Sequence, residues 1–351
     1  MWKIILFVLS VPVIFVGMLV GLYFWASGGI QDPGTTEYKQ IDYGTGEEVK
    51  PADEKKLTLL TWNLSWAYGA GSEGSKDYKP RTKEEMKDSL NKIGEAIKGS
   101  GADIVLLQEI DFDSSRSYHV DQLKELAKIT GLRYGAKAVS WKAGYVPFPY
   151  WPISSQFGAI NSGGAVLSRY PITTNTITLY PKPDSNPWWY NAFYLFRYSQ
   201  QVSFKFGDKN LTVINNHLEA YDKANRQIQA NGLSDIVKNL KSDIVIVSGD
   251  MNTVPQEALL KTGFPDGTGD DYTDDSTLSI LRGISGLKEV IPIEDYYKNE
   301  STYFTFPSFA PNRRLDYIFV PTNANVVSAG VVSAGEMSDH LPVKAELEFP
   351  N

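Results

Sequence analysis

A short apolar run followed by a polar turn places the strongest constraint on how this chain folds. Four consecutive β-branched residues, Ile244 to Val247, lead into Ser248-Gly249-Asp250-Met251-Asn252. Such a run is typical of a strand buried on both faces, and the glycine allows the backbone to turn sharply. Because ligands of open α/β sheets bind just outside strand ends, we expect Asp250 and Asn252 to line an active site. The alternative is an Asp-x-Asn turn that only caps the strand.

Polar residues also lie at or near the ends of five other predicted strands. They are Asn63, Glu109, His217, Asp316 and the pair Asp339-His340. Each has a structural alternative, because amides form turns, carboxylates cap strand ends and histidines can be satisfied inside a core. The recurrence of one pattern, which includes two of the three histidines, indicates instead that these side chains share a site.

Helical patterns lie between several of these strands. Thr82 and Glu85 form a capping box before one helix, and further helices are predicted over 121–130 and 222–240. The last of these is expected to turn Ile228, Ile236, Val237 and Leu240 inward. Several predicted strand pairs are too close in sequence for helical crossovers. The sequence therefore predicts an α/β fold with two mixed sheets in a sandwich and helices outside.

The N-terminal segment predicts a membrane anchor. Ile4 to Trp25 is almost wholly apolar, and at about 1.5 Å per residue it would span a hydrocarbon core of roughly 30 Å. A cleaved signal peptide is the alternative, but its apolar region is normally shorter. Lys3 before the span, with Asp32 and Glu37 after it, favours a single-pass protein with an extracytoplasmic domain. We expect an anchor over 1–26, a linker over 27–56 and a catalytic domain over 57–351.

Charge and cysteine content exclude or disfavour several functions. The chain contains no cysteine, which excludes disulfides, thiolate zinc sites and a cysteine nucleophile. Its net charge is −7, whereas proteins that bind nucleic acid usually carry a basic surface, so nucleic acid is a disfavoured partner. The acidic segment 266–275 is expected to be a solvated loop rather than a calcium site, because loop carboxylates rarely form a closed cage.

Taken in order, the polar strand ends resemble one enzyme superfamily. The motifs are Thr61-Trp62-Asn63-Leu64, Leu107-Gln108-Glu109, Asn216-His217-Leu218, Gly249-Asp250-Met251-Asn252, Leu315-Asp316-Tyr317-Ile318 and Ser338-Asp339-His340, with a central strand over 163–171. This series resembles the endonuclease/exonuclease/phosphatase superfamily over about Leu57 to Phe349. Its members include deoxyribonucleases, abasic-site nucleases, inositol polyphosphate 5-phosphatases and neutral sphingomyelinases.

The resemblance implies a four-layer α/β sandwich and a divalent metal, usually Mg²⁺, with Mn²⁺ or Ca²⁺ as alternatives. It implies metal ligands at Glu109, Asn63 and Asp339, and oxygen ligands of this kind suit magnesium. Asp250 would deprotonate the attacking water and Asn252 would hold water or phosphate. The remaining roles fall to the histidines: His340, oriented by Asp316, would bind a phosphoryl oxygen, and His217 would stabilise the transition state or protonate the leaving oxygen.

The middle of the chain bears on the substrate. Residues 141–198 hold four of the eight tryptophans, and Trp188 and Trp189 are candidates for a lipid-facing rim, since tryptophan favours membrane interfaces. The alternative is a packed insertion that covers the site. His217-Leu218-Glu219-Ala220, followed by Arg226 and Gln229, resembles a sphingomyelinase pattern, which makes Arg226 a substrate-binding candidate.

These observations favour a membrane-surface phosphodiesterase with a phospholipid or related substrate. The alternatives are an extracytoplasmic nuclease, an inositol-phosphate phosphatase, and a tethered binding module on an inactive scaffold.

Overall fold

A computed structural model describes residues 2–29, 31–46, 55–69, 80–267 and 269–350, with side chains from residue 11 onwards. Fourteen strands lie within these residues. In chain order they are β1 (Gly34–Glu37), β2 (Gln40–Asp42), β3 (Lys56–Asn63), β4 (Ile104–Asp111), β5 (Tyr134–Val146), β6 (Gly158–Ser168), β7 (Ile172–Leu179), β8 (Tyr198–Phe206), β9 (Lys209–His217), β10 (Ile244–Asp250), β11 (Leu287–Glu289), β12 (Asp316–Pro321), β13 (Asn325–Val331) and β14 (Val343–Glu348). The helices of the described residues are α1 (Trp2–Ala26), α2 (Lys83–Ser100), α3 (Gln122–Thr130), α4 (Trp188–Asn191), α5 (Lys223–Asn239), α6 (Thr277–Arg282) and α7 (Ile293–Lys298).

The strands form two seven-stranded mixed sheets. The first has the order β1-β7-β8-β9-β10-β12-β11, and the second has the order β13-β14-β3-β4-β6-β5-β2. One pair in each sheet is parallel, β9 with β10 and β3 with β4, and the other neighbours are antiparallel. The sequence prediction of two mixed sheets is confirmed.

Alternation along the central strands produces four layers. Leu106 of β4 and Val213 of β9 belong to the core between the sheets. Leu107, one residue further along β4, faces the opposite way and belongs to a core that includes α2 and α3. On the other side, Leu233 of α5 and Leu281 of α6 share a core with Val247 of β10. The order is therefore helices, sheet, sheet and helices. Successive side chains of a strand point to opposite faces, so a sheet that is apolar on both faces needs a layer on each side.

Local sequence signals define the ends of two helices. Thr82 and Glu85 form the predicted capping box at the start of α2, and Asp121 caps α3. The prediction for α5 is wrong at Ile228, which is 61% exposed. Its buried face carries polar groups instead, among them Arg226 and Gln229, because these side chains find internal hydrogen-bond partners.

The apolar N-terminal segment forms helix α1. In the part of the chain that the structure describes, however, no helix combines the length and the apolarity needed to cross a membrane. The predicted transmembrane helix is thus not supported.

Part of the expected linker contributes to both sheets. β1 pairs with β7 at the edge of the first sheet, and β2 pairs with β5 at the edge of the second. Residues 47–54 lie outside the described residues. The edge strands were missed because short exposed strands need only main-chain pairing, and so carry no apolar periodicity.

A buried polar network joins the two sheets directly behind the predicted site. Gln108 Nε2 of β4 donates to Asn215 Oδ1 of β9 at 2.7 Å. Asn215 Nδ2 in turn lies within hydrogen-bond distance of the Leu107 carbonyl and of Gln200 Oε1. Buried amides need such partners, so the network fixes the position of β4 in one sheet relative to β9 in the other. It thereby places Glu109, one residue beyond Gln108, and His217, two residues beyond Asn215, on the same side.

Candidate active site

The predicted strand-end residues converge on one place. Asp250 pairs in register with His217 on one side and with Asp316 on the other. Asn63, from the second sheet, donates from Nδ2 to Asp250 Oδ2 at 3.0 Å. His340 Nε2 lies 3.7 Å from the same carboxylate oxygen. Five residues separated by up to 277 positions therefore form one buried cluster around the Asp250 carboxylate.

The carboxylate of Asp250 is held in a fixed orientation. Its Oδ1 accepts a hydrogen bond from the backbone N–H of Asn252 at 2.9 Å, and its Oδ2 accepts the bond from Asn63. Burial raises the pKa of Asp250 to about 6, although the charge of His340 acts in the opposite direction. An oriented carboxylate with a pKa near neutrality is suited to general-base catalysis.

His340 and Asp316 form a buried imidazole–carboxylate pair. Nδ1 of His340 lies 2.8 Å from Asp316 Oδ2. The Trp62 indole donates to the backbone carbonyl of His340 at 2.9 Å, which fixes the chain there. Burial alone would lower the pKa of His340, but Asp316 and Asp250 raise it to about 10. At neutral pH the ring is an imidazolium, with Nε2 directed towards Asp250.

Glu109 projects towards this cluster because of its backbone conformation. It has a φ of 51°, and the pairing of β4 with β6 shifts register between Leu107 and Ile110. An irregularity of this kind in strand pairing changes the face of the sheet to which a side chain points. The side chain is 18% exposed, and Oε1 lies 3.6 Å from His217 Nε2. Burial and the neighbouring charge of Asp339 raise the pKa of Glu109 to about 7.

Arg197 is a member of the site that the sequence analysis missed. It lies directly before β8, is buried, and donates from Nη1 to His217 Nε2. Because a guanidinium only donates, His217 Nε2 is the accepting, unprotonated nitrogen. Burial, and then the charges of Arg197 and His340, hold the pKa of His217 well below its ordinary value. A proton-donating role for His217 does not fit these surroundings, whereas an accepting role does.

Glu219 is the counter-ion of Arg197. Its Oε2 lies 3.6 Å from Arg197 Nε, and its Oε1 accepts a hydrogen bond from the Tyr194 hydroxyl at 2.7 Å. A buried charge without a partner is costly. The buried arginine beside it therefore explains the carboxylate at position 219.

The other predicted site residues have different surroundings. Asn252 donates from Nδ2 to the Leu218 carbonyl at 2.9 Å. Asp339 lies close enough for its charge to raise the pKa of Glu109. Arg226, which the sequence predicts as a substrate ligand, is instead buried. Its Nη2 lies 2.7 Å from Asp275 Oδ2 and its Nη1 donates to the Glu219 carbonyl, so it forms an internal ion pair rather than a substrate contact.

The acidic loop over 266–275 also differs from the solvated loop expected. Asp266 and Asp270 contact Arg313, and Asp275 contacts Arg226, so arginines from elsewhere in the fold neutralise these carboxylates.

The oxygen atoms of this site fit a divalent cation. Glu109, Asp339 and the Asn63 amide are oxygen groups of the type that Mg²⁺ prefers as ligands. Burial raises the pKa values of both Glu109 and Asp250, and neighbouring carboxylates, Asp339 beside Glu109 and Asp316 beside Asp250, add to the two shifts. A cation would offset the cost of holding these groups charged. A second grouping, Asp250, Asp316 and His340, places potential ligand atoms within 4.8 Å of one another. We favour the Glu109 side, because metal binding needs a neutral imidazole and His340 is held protonated.

Comparison with known proteins agrees with this geometry. The sequence model of the Endonuclease/Exonuclease/phosphatase family matches residues 60–340. The chain belongs to this family. No curated protein sequence matches the chain.

Solved members of the endonuclease/exonuclease/phosphatase family share the fold. One from Beutenbergia cavernae DSM 12333 is 20% identical, with a TM-score of 0.59 over 85% of this chain and 72% of that one. Mannosyl-6-phosphatase from Bacteroides thetaiotaomicron VPI-5482 is 18% identical, with a TM-score of 0.54 over 84% of this chain and all of that one (100%). TDP2 from D. rerio, in complex with a single-strand DNA product, is 15% identical, with a TM-score of 0.54 over 84% and 100%.

The fold is thus that of a metal-dependent phosphoester hydrolase. At these identities the similarity establishes the fold and not the substrate.

Proposed function

We propose that this protein is a divalent-metal-dependent phosphodiesterase that acts on a lipid-like phosphoester at a membrane surface. The observation that carries the proposal is the cavity beside the catalytic cluster, which measures ≈ 490 Å³. Glu109 and Arg197 line it together with residues that are mostly aromatic or aliphatic. A phosphoryl group suits the charged residues, and an apolar substituent suits the remaining walls.

The surface around the cavity supports a membrane location. Tyr150, Trp151, Trp188 and Trp189 are between 52% and 79% exposed. Large exposed apolar patches mark interaction sites, and tryptophan and tyrosine favour membrane interfaces. The end of α1 packs on the same surface, where the Tyr23 ring contacts Trp188 and Phe193 edge-on, with 5.8 Å between centroids in each pair.

The side chains of the cluster have distinct roles in this reaction. Asp250 takes the proton of the attacking water, and the His340 imidazolium donates from Nε2 to a non-bridging phosphoryl oxygen. Arg197 adds a second positive charge and keeps His217 unprotonated. A cation held by Glu109, Asn63 and Asp339, for which we propose Mg²⁺, would polarise the phosphoryl group and offset its growing charge.

A substrate panel tests the proposal. The full chain is assayed with sphingomyelin, lysophospholipids, single- and double-stranded DNA, and inositol phosphates, in Mg²⁺ and in EDTA. We expect metal-dependent turnover of a lipid phosphodiester. Turnover confined to DNA would identify a nuclease, turnover confined to inositol phosphates would identify a phosphatase, and EDTA-insensitive binding without turnover would identify an inactive scaffold.

Attachment to the membrane through residues 1–26, and an extracytoplasmic location, stay predictions from the sequence. Labelling of an engineered surface cysteine by an impermeant thiol reagent in intact cells tests the orientation. The absence of native cysteine makes the signal specific.

A further inference from the structure

The cavity beside the catalytic cluster has rigid walls. Trp141 and Phe157 line it and are also buried members of the hydrophobic core. The Trp141 indole donates to the backbone carbonyl of Phe193 at 2.9 Å, which joins the two sides of the cavity. The Arg116 guanidinium lies over Trp66, 3.9 Å from the ring centroid, and pairs with Asp111 at 3.0 Å. These contacts fix the positions of the aromatic side chains in the walls.

The charged groups of the cavity are those of the catalytic cluster. Glu109 and Arg197 are charged residues of its lining, and Glu109 also borders a small recess shared with His217. Nε of Arg197 is buried and makes no hydrogen bond, although Glu219 Oε2 lies 3.6 Å away. An anionic group at this end would gain a guanidinium partner, and the rest of its molecule would face aromatic rings.

The volume of the whole cavity, including its charged end, limits the size of the bound molecule. At roughly 30 Å³ for a group the size of a water molecule, such as a methylene, the cavity accommodates on the order of 16 non-hydrogen atoms. That is enough for a phosphoryl group and one hydrocarbon chain, whereas the two chains of a bilayer lipid exceed it.

We propose that the cavity is a subsite for a single hydrocarbon chain, and that the substrate is a single-chain phosphoester whose phosphoryl group lies between Arg197 and Glu109. This inference rests on the proposed hydrolysis of a lipid-like phosphoester, and it narrows the apolar part of the substrate to one hydrocarbon chain. The same chemistry is present in a lysophospholipid, a diester, and in a long-chain alkyl or isoprenoid phosphate, a monoester.

Neighbouring aromatic residues provide matched controls. Tyr150 lines the cavity, whereas the next residue, Trp151, is exposed outside it. In α4, Trp189 lines the cavity and Trp188 does not. A chain-binding cavity needs Tyr150 and Trp189. A general membrane-contact surface would instead depend on all four of these residues. It would depend most on Trp151 and Trp188, which are the more exposed.

The experiment measures binding of alkylphosphonates from butyl to dodecyl, whose carbon–phosphorus bond resists hydrolysis, to the full chain by calorimetry in Mg²⁺. We expect affinity to rise by about two- to fourfold per methylene. Trp189→Ala and Tyr150→Ala should flatten this dependence, and Trp188→Ala and Trp151→Ala should preserve it. Affinity independent of chain length, or equal loss in all four variants, overturns the proposal.

Turnover separates this inference from the proposed function. Chain-length-dependent binding without turnover of any phosphoester would leave the subsite intact and refute the hydrolase. Metal-dependent turnover with no effect of chain length would leave the hydrolase intact and refute the subsite. Comparing a lysophospholipid with an alkyl phosphate of equal chain length then identifies which ester is cleaved.

Discussion

Asp316 Oδ2 lies 2.8 Å from Nδ1 of His340, and this contact sets the charge of the catalytic ring. Asp316→Asn keeps the size of the side chain but removes its charge, so the imidazolium should be lost near neutral pH. We expect turnover to fall by about 10²–10⁴-fold with the fold intact. The matched control is Asp113→Asn, because Asp113 makes the same kind of contact with the exposed His119 at 2.6 Å. Equal activity in the two variants would refute the assignment.

The same pair predicts a pH dependence of stability. The pKa of His340 is raised from 6.5 to about 10, so its charged form stabilises the fold fully below pH 6.5 and less as pH rises through 10. In EDTA, the difference in free energy of unfolding between the native protein and Asp316→Asn should therefore shrink across that window. Urea unfolding at several pH values measures it. A difference that stays constant with pH would contradict the raised pKa.

The accepting role of His217 has its own test. With only three histidines, ring ¹⁵N resonances can be assigned by single substitutions. His217 should stay neutral at pH 6, where His340 is charged. The double variant Arg197→Met/Glu219→Gln removes both charges of the ion pair, so no buried charge is left unpaired. In it the pKa of His217 should rise but remain depressed, because burial is the first cause. A protonated His217 in the native protein would contradict the model of the site.

Residues that follow strands were predictable from sequence, whereas their partners were not. Asp250 and His217 are each the last residue of a strand that contains an apolar run, and neighbouring parallel strands end at the same edge of a sheet. Arg197 and Glu219 lie 22 positions apart and meet only because β8 pairs with β9, with Tyr198 opposite His217. The available signal was a single arginine in the aromatic run 193–198, since a buried charge requires a counter-ion.

The fold, too, was predictable from the sequence only in part. The two sheets followed from apolar runs and capping signals, but β1 and β2 did not, because they are held by main-chain pairing at the sheet edges. The buried face of α5 was also misjudged. Its polar residues Arg226 and Gln229 are satisfied by groups distant in sequence, which helical periodicity does not reveal.

Glu109→Gln tests the cation site through stability. Burial and Asp339 raise the pKa of Glu109 to about 7, so we expect its charge to destabilise the fold when no cation is bound. In EDTA the variant should therefore melt at a higher temperature than the native protein. Added Mg²⁺ should stabilise the native protein, by about 2.7 kcal/mol at a hundred times its dissociation constant, and leave the variant unchanged. Thermal unfolding with and without Mg²⁺ measures both effects.

The control for this variant is Glu125→Gln, which removes an exposed carboxylate paired with Lys128. It should show the native response to Mg²⁺. The same Mg²⁺ response in Glu109→Gln as in the native protein would place the cation elsewhere.

The ion pair between Arg226 and Asp275 should contribute to stability rather than to substrate binding. Both side chains are buried, and Arg226 also donates to the carbonyls of Glu219 and Ala220, directly after the His217 strand end. Arg226→Gln leaves the Asp275 charge buried without its partner, so the free energy of unfolding should fall by about 3–5 kcal/mol. KM should stay within about twofold of the native value, since no substrate contact is lost.

Arg133→Gln provides the comparison, because Arg133 pairs with the more exposed Asp42 at 2.9 Å and should lose only about 0–1 kcal/mol. Urea unfolding and steady-state kinetics on the same preparations separate the two roles. If Arg226→Gln unfolds like the native protein while KM rises more than about tenfold, a loss of roughly 1.4 kcal/mol in binding, Arg226 is the substrate ligand that the sequence first suggested.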